Sequence, residues 1–331
     1  MEFLFFEDLT PDHEIIDRFL PRKNRNFGLA RAYMDLGLDQ RAQKVLECGS
    51  WLEWRIPEDL SEGAKLSLAN FCKDRLCAMC SWRRTLKIFG QVSQVMDRIQ
   101  NDYEFVFVTL TLRSCSASDL KSTLNHLQRG FYKFSNDRSV KAAFKGYFKA
   151  LEITRHTDLP RQHEYHPHLH CIFAVTHKYF KGKDYISHDK LVDLWQRALG
   201  IDYPPIVDIR KVRPDKTRED GEISLGKAVA EVAKYSVKTD DYLVGTFTQV
   251  RSGVSTLLDA LTNKRLCSFG GIFKKIAREL DLDDMTEGDL VHVDGTKLRS
   301  DVGYIVLRYQ WQVGIGYQRT YVYYEKENTK S

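Results

Sequence analysis

Hydrophobic positions along the chain change period several times, and each change predicts an element. Phe105 to Leu112 (FVFVTLTL) is β-branched and aromatic between polar flanks, which predicts a strand. Tyr147 to Thr154 and His168 to Val175 predict two more strands, joined by a polar, proline-containing link, and Val207 to Val212 predicts a fourth. Elsewhere the period is helical. Leu86, Phe89, Val92, Val95, Met96 and Ile99 recur at helical spacing over 83–99. Residues 118–134 repeat that pattern, 187–199 predicts a helix capped by Ser187, and another helix is predicted over 224–238. Strands mixed with helices over roughly 100–250 make an α+β domain.

The flanks read differently. Residues 1–45 look helical and polar, and Cys48 to Lys87 form a cysteine-bearing region ending in the basic stretch SWRRTLK. The tail predicts a helix near 271–280 and a hairpin of IVLRYQWQV and YQRTYVYY around Gly-Ile-Gly. The expected organisation is therefore a helical segment 1–47, a cysteine-rich region with a basic helix 48–98, the α+β domain 99–250 and a C-terminal segment 251–331.

Composition narrows the class. The 331 residues are 43% hydrophobic and 29% charged, enough apolar material for a core and unlike a disordered chain. Lys and Arg number 50 against 45 Asp and Glu, and the resulting net charge of +5 permits a nucleic-acid partner. No apolar run approaches the roughly 20 residues of a membrane span. The start, MEFLFFEDLTPDHE, lacks a basic region and turns acidic early, unlike a secretory leader. Seven cysteines then fit a reducing cytoplasm, with thiols free or on metal. The expectation is a soluble cytoplasmic protein without a membrane partner.

Candidate chemistry begins with His166-Pro-His168-Leu-His170. Residues two apart in a strand share a face, so His168 and His170 can offer two imidazoles to one cation. His166 has the same parity, but Pro167 weakens a strand there. A solvated or packed histidine cluster would leave the same pattern. Glu152 would lie beside the pair if its strand runs antiparallel to theirs, and its oxygen would favour Mg²⁺ or Mn²⁺ over structural zinc. An ordinary solvent-facing carboxylate is the other reading. On a helix, Glu231, Tyr235 and Lys238 share one face. A tyrosine helped by a cation can attack a phosphate, and a carboxylate one turn away can act as general base; a surface Glu/Lys lattice also fits.

Cys72, Cys77 and Cys80, with Cys48 upstream, could supply four thiolates to a structural Zn²⁺, or pack as small hydrophobes. Cys115, Cys171 and Cys267 read as structural. Arg75, Arg83, Arg84 and Lys87 beside Trp82 suggest a surface contacting the DNA backbone, or a solvated helix face. Gly221 to Ala228 has the spacing of a phosphate loop, but Ala228 replaces the Mg²⁺-binding hydroxyl, so no ATP site is expected.

Together these pieces resemble a known family. His168-Leu-His170 resembles the HUH metal motif, Phe107-Val-Thr109-Leu-Thr111-Leu the strand motif upstream of it, and Glu231 to Lys238 the downstream tyrosine motif. Phe71 to Arg84, Ala150 to Thr154 and Asp208 to Val212 extend the likeness over about 48–245. The chain resembles rolling-circle replication initiators of small Gram-positive plasmids. That resemblance implies an HUH endonuclease fold, with a central antiparallel sheet and flanking helices beside a cysteine-rich zinc-binding region. It implies metal ligation by His168, His170 and Glu152, and attack by Tyr235 on the origin strand to give a 5′-phosphotyrosine and a free 3′-OH. Glu231 would direct water or assist the closing transfer, and Lys238 would hold a phosphate or the metal site in register. The partners implied are single-stranded or extruded origin DNA and a host helicase and polymerase. An HUH transposase, a hydrolytic metalloenzyme and a non-catalytic zinc-stabilised DNA-binding regulator share parts of the pattern.

Overall fold

The computed structural model describes residues 12–156, 161, 164–213, 226, 229, 230, 233, 242–293, 298, 299 and 301–325, with side chains from Asp17 onward. The chain divides into two compact units, 84–288 and a second made of 1–83 with 289–331. The expected boundaries at 47/48, 98/99 and 250/251 are not the boundaries of these units.

In the 84–288 unit, β3 (Tyr103–Thr111), β4 (Gly146–Arg155), β5 (Tyr165–Thr176), β6 (Val207–Lys211) and β7 (Cys267–Gly271) form one antiparallel sheet in the order β6-β3-β5-β4-β7. The expected α+β class and antiparallel sheet are present. Helices α4 (Leu120–Asn136) and α6 (His188–Leu199) cover one face, and the short α5 (Arg138–Ala143) follows α4 in the chain. There Phe131 meets Tyr147 edge-on at 5.0 Å, and Phe134 packs between Phe173 and Trp195. Ser187 caps α6 as expected, its hydroxyl accepting from the Lys190 N–H.

On the opposite face Phe105, Phe148 and Phe269 gather with Phe273 of α8 (Ile272–Glu279), the helix that continues directly from β7. Because β5 is central and covered on both faces, His170 to Val175 is uniformly buried and shows no alternation. Pro167 does not end this strand. It lies one residue beyond the last β3 pair, Thr111 with His168, so its missing N–H interrupts no bond to β3. The pattern over 83–99 belongs to a longer helix, α3 (Ala78–Ile99). Between α6 and β7 lies α7 (Phe247–Leu261), opened by a capping box between Thr246 and Gln249 and not anticipated from the sequence.

The other unit holds α1 (Asp12–Asp35), α2 (Asp39–Glu47) and a four-stranded antiparallel sheet ordered β2-β1-β8-β9. Here β1 (Trp51–Pro57) and β2 (Lys65–Ala69) pair with the tail hairpin β8 (Tyr304–Gln312) and β9 (Gly316–Glu325). The predicted hairpin therefore exists, but seven residues of β1 pair along β8, and the tail is no separate segment. Phe19 of α1 sits edge-on to Trp54, Trp82 and Tyr317, forming an aromatic cluster in this unit.

Candidate metal centres

Strand register assembles the first centre. Glu152 lies directly opposite His168 on β4, while Thr111 and Thr109 lie opposite His168 and His170 on β3. All of these side chains share one face by the two-residue period. Glu152 Oε2 stands 2.7 Å from His170 Nε2 and 3.4 Å from His168 Nε2, and the two imidazole nitrogens are 3.0 Å apart. Adjacent ligands of an octahedral ion at about 2.1 Å lie roughly 3.0 Å apart, so this N₂O set fits a small divalent cation. The arrangement is the one the antiparallel pairing of β4 and β5 predicted.

Surrounding groups fix the ligands. His168 Nδ1 lies 3.2 Å from the His166 carbonyl. A carbonyl can only accept, so the ring proton sits on Nδ1 and Nε2 keeps its lone pair for a cation. His170 Nδ1 is 3.3 Å from the Thr109 hydroxyl, a contact that sequence reasoning did not identify. Burial opposes ionisation of Glu152, but when the imidazoles are protonated at Nε2, hydrogen bonds from His168 and His170 and their positive charge hold its carboxyl far below the usual range; a cation in place of those protons would act in the same direction. Burial, with help from His168, His156 and Arg161, lowers the His166 imidazole to about 4.

The second centre is the cysteine cluster. Cys48 Sγ lies 3.5 Å from both Cys77 Sγ and Cys80 Sγ, and Cys72 Sγ is 3.7 Å from Cys80 Sγ. These are not disulfide distances, and all four thiols are free. A tetrahedron with metal–sulfur bonds of about 2.3 Å has edges of roughly 3.8 Å, so the set fits zinc. The Cys72 N–H donates to Cys48 Sγ, and Asn26 Nδ2 donates to Cys77 Sγ at 3.2 Å. Buried Lys23 donates to the Cys48 carbonyl at 2.9 Å, placing a cation beside sulfurs that would be anionic on metal. Burial lowers the Lys23 pKa, and the surrounding thiols draw it partly back. Burial also resists ionisation of Cys77, but hydrogen bonds from Cys48, Cys72 and Cys80 outweigh it and favour that thiolate. Cys171 and Cys267 are buried in the sheet unit, and burial raises Cys267 to about 11, in keeping with a structural role.

The basic stretch requires a correction. Arg83, Arg84 and Lys87 are buried, and Arg75 is only half-exposed. Arg83 donates to the Leu290 and Val291 carbonyls, Arg84 to the Thr286 carbonyl, and Lys87 pairs with Asp283. Unpaired cations resist burial, and these are tied to acceptors inside the protein instead of facing a DNA backbone. Glu231, Tyr235 and Lys238, most of the helix predicted over 224–238, and the Gly221 to Ala228 spacing apart from Gly226 lie outside the described residues.

Comparison with known proteins agrees with the motifs. The family described as Replication protein matches residues 63–322. A "Protein rep" of a Bacillus species is 35% identical over 297 residues, covering 86% of this chain and 94% of its own. A "Protein rep" of Streptococcus pneumoniae serotype 2 is 33% identical, with 82% of each chain covered. A "Replication protein" of Staphylococcus aureus is 29% identical over 63% of this chain and 87% of its own. No solved structure matches. With a family match over most of its length and relatives above 30% identity aligned nearly end to end, the chain belongs to the replication-protein (Rep) family.

Proposed function

We propose that this protein initiates rolling-circle replication of a plasmid by nicking one strand of the origin, and that its sheet domain is an HUH endonuclease fold. The observation that carries the reading is the convergence of Glu152, His168 and His170 on one sheet face, with ligand atoms 2.7–3.4 Å apart. These three residues would hold Mg²⁺ or Mn²⁺. When bound, the ion polarises phosphate oxygens and offsets charge that develops in the transition state. The Tyr235 oxygen attacks the scissile phosphorus, the bond to the 3′ oxygen breaks, and that oxygen leaves as a protonated 3′-OH for the host polymerase to extend. The 5′ phosphate stays on Tyr235, which conserves the bond energy for the closing transfer. Glu231 then activates the second nucleophile, and Lys238 holds a phosphate. Cys48, Cys72, Cys77 and Cys80 would hold Zn²⁺ and staple the other unit. With no ATP site expected from the sequence, strand separation would fall to a host helicase in the cytoplasm; among the described residues no helix is long and apolar enough to cross a membrane.

The test uses purified protein, Mn²⁺ and 3′-labelled single-stranded oligonucleotides from the replicon's origin. A label shifted on a denaturing gel in wild type and lost in Tyr235→Phe is the expected result. Cleavage without a shifted band would indicate hydrolysis. No cleavage of any origin segment would favour a DNA-binding regulator.

A further inference from the structure

Beyond the metal ligands, the same sheet face carries a second polar group. Ser114 Oγ lies 3.4 Å from His156 Nε2 and 3.4 Å from His166 Nδ1. The backbone fixes all three positions. Cys115 and Tyr165 exchange N–H···O bonds of 2.8 Å, which holds Ser114 against His166, and the His156 N–H donates to the Glu164 carbonyl at 2.9 Å. Among the described residues the outer nitrogens, His156 Nδ1 and His166 Nε2, have no hydrogen-bond partner, and no carboxylate contacts the group. A serine hydroxyl has one proton to donate. The imidazole that receives it must carry its own proton on the opposite, outward nitrogen. With Ser114 donating to one ring, the cluster presents an outward N–H that no other group among the described residues satisfies. All three residues are half-buried, so a ligand can reach them.

The position of the cluster identifies the ligand. His166 follows His168 on the same side of β5, with ring centroids 5.4 Å apart, and His156 continues the row with its ring 6.4 Å from that of His166. These steps lie between one and two times the ~3.4 Å rise per nucleotide of a stacked strand, within reach of an unstacked one. Hydroxyls and ring N–H groups without a neighbouring carboxylate suit a phosphodiester oxygen. We infer that Ser114, His156 and His166 form a subsite for a phosphate of single-stranded DNA adjoining the one at the metal centre. The subsite positions the strand and does no chemistry, and the inference rests on the reading of this face as a DNA-processing site.

The test is made on the full chain with no Mg²⁺ or Mn²⁺ added, so that it does not depend on an ion at Glu152, His168 and His170 and leaves the cysteine site undisturbed. Oligo(dT) of about ten nucleotides is titrated while the imidazole ring resonances, assigned with His156→Gln and His166→Gln, are followed by NMR. Movement of both the His156 and His166 signals is expected, together with about fivefold weaker binding in Ser114→Ala/His156→Gln, the scale of one lost hydrogen bond. Silent rings in wild type overturn the subsite without reference to any variant. Unchanged affinity in the double variant also overturns it. The covalent-adduct assay with Mn²⁺ separates this from the nicking reading. Shifted rings without an adduct keep the subsite and lose the nickase; an adduct with silent rings does the reverse.

Discussion

At the scale of single residues, the histidine pair was legible because a strand has a period of two, and two imidazoles two positions apart must share a face. Glu152 was legible only through register. Its closeness to His168 follows from β4 and β5 pairing antiparallel with those two residues opposite each other. The basic residues were not legible. Arg83, Arg84 and Lys87 read as a charged surface, yet their aliphatic stems are buried and their heads are tied to acceptors inside the fold. Charge in a sequence does not reveal such a partner. Glu152 itself carries a sharp expectation. It is the only carboxylate in the triad and lies within 3.4 Å of both imidazoles. Glu152→Gln keeps the shape and removes the charge, so Mn²⁺ affinity measured by calorimetry should fall at least about tenfold, the scale of disrupted ligand shells. Wild-type affinity in this variant would move the third ligand elsewhere.

Among elements, the strands bearing β-branched and aromatic runs were visible, whereas β7 was not. Its sequence, CSFGG, is short and glycine-rich, and only its pairing with β4 makes it a strand. That pairing explains the glycines. A Cβ on Gly146 would stand 2.5 Å from the Ile272 backbone nitrogen and 2.8 Å from the Gly270 carbonyl oxygen, so the β4–β7–α8 junction closes only around a bare backbone. At Gly130 on α4 the nearest atom is the Leu199 Cδ2 methyl at 2.6 Å, the far end of a side chain that can rotate. The two substitutions should therefore separate. Gly146→Ala is expected to cost about 2–3 kcal/mol in denaturant unfolding, the range of backbone-strain mutations. Gly130→Ala, which also gains helix propensity, should stay within about 1 kcal/mol of wild type. Equal losses would mean that the junction yields as easily as a methyl group.

For the whole molecule, local pattern could not show that the two ends of the chain build one sheet. The tail hairpin was readable from its turn, but its partner β1 lies some 250 residues earlier, and no periodicity reports such a pairing. The cysteine cluster depends on that closure. Cys48 is followed by Gly49, whose left-handed φ of 65° turns the chain into β1 and whose carbonyl accepts the buried Tyr317 hydroxyl of β9 at 2.6 Å. Deleting residues 289–331 removes β8, every bond it makes to β1, and the Tyr317 clamp. The shortened chain should lose the zinc that the full chain is expected to hold, one ion per molecule by metal analysis, and its first 83 residues should become sensitive to trypsin. Mn²⁺ binding should survive in the same molecule, since Glu152, His168 and His170 all lie within 84–288. Full zinc retention after the deletion would show that the four thiolates hold their own geometry without the sheet. Loss of both metals would show that the two units do not fold independently.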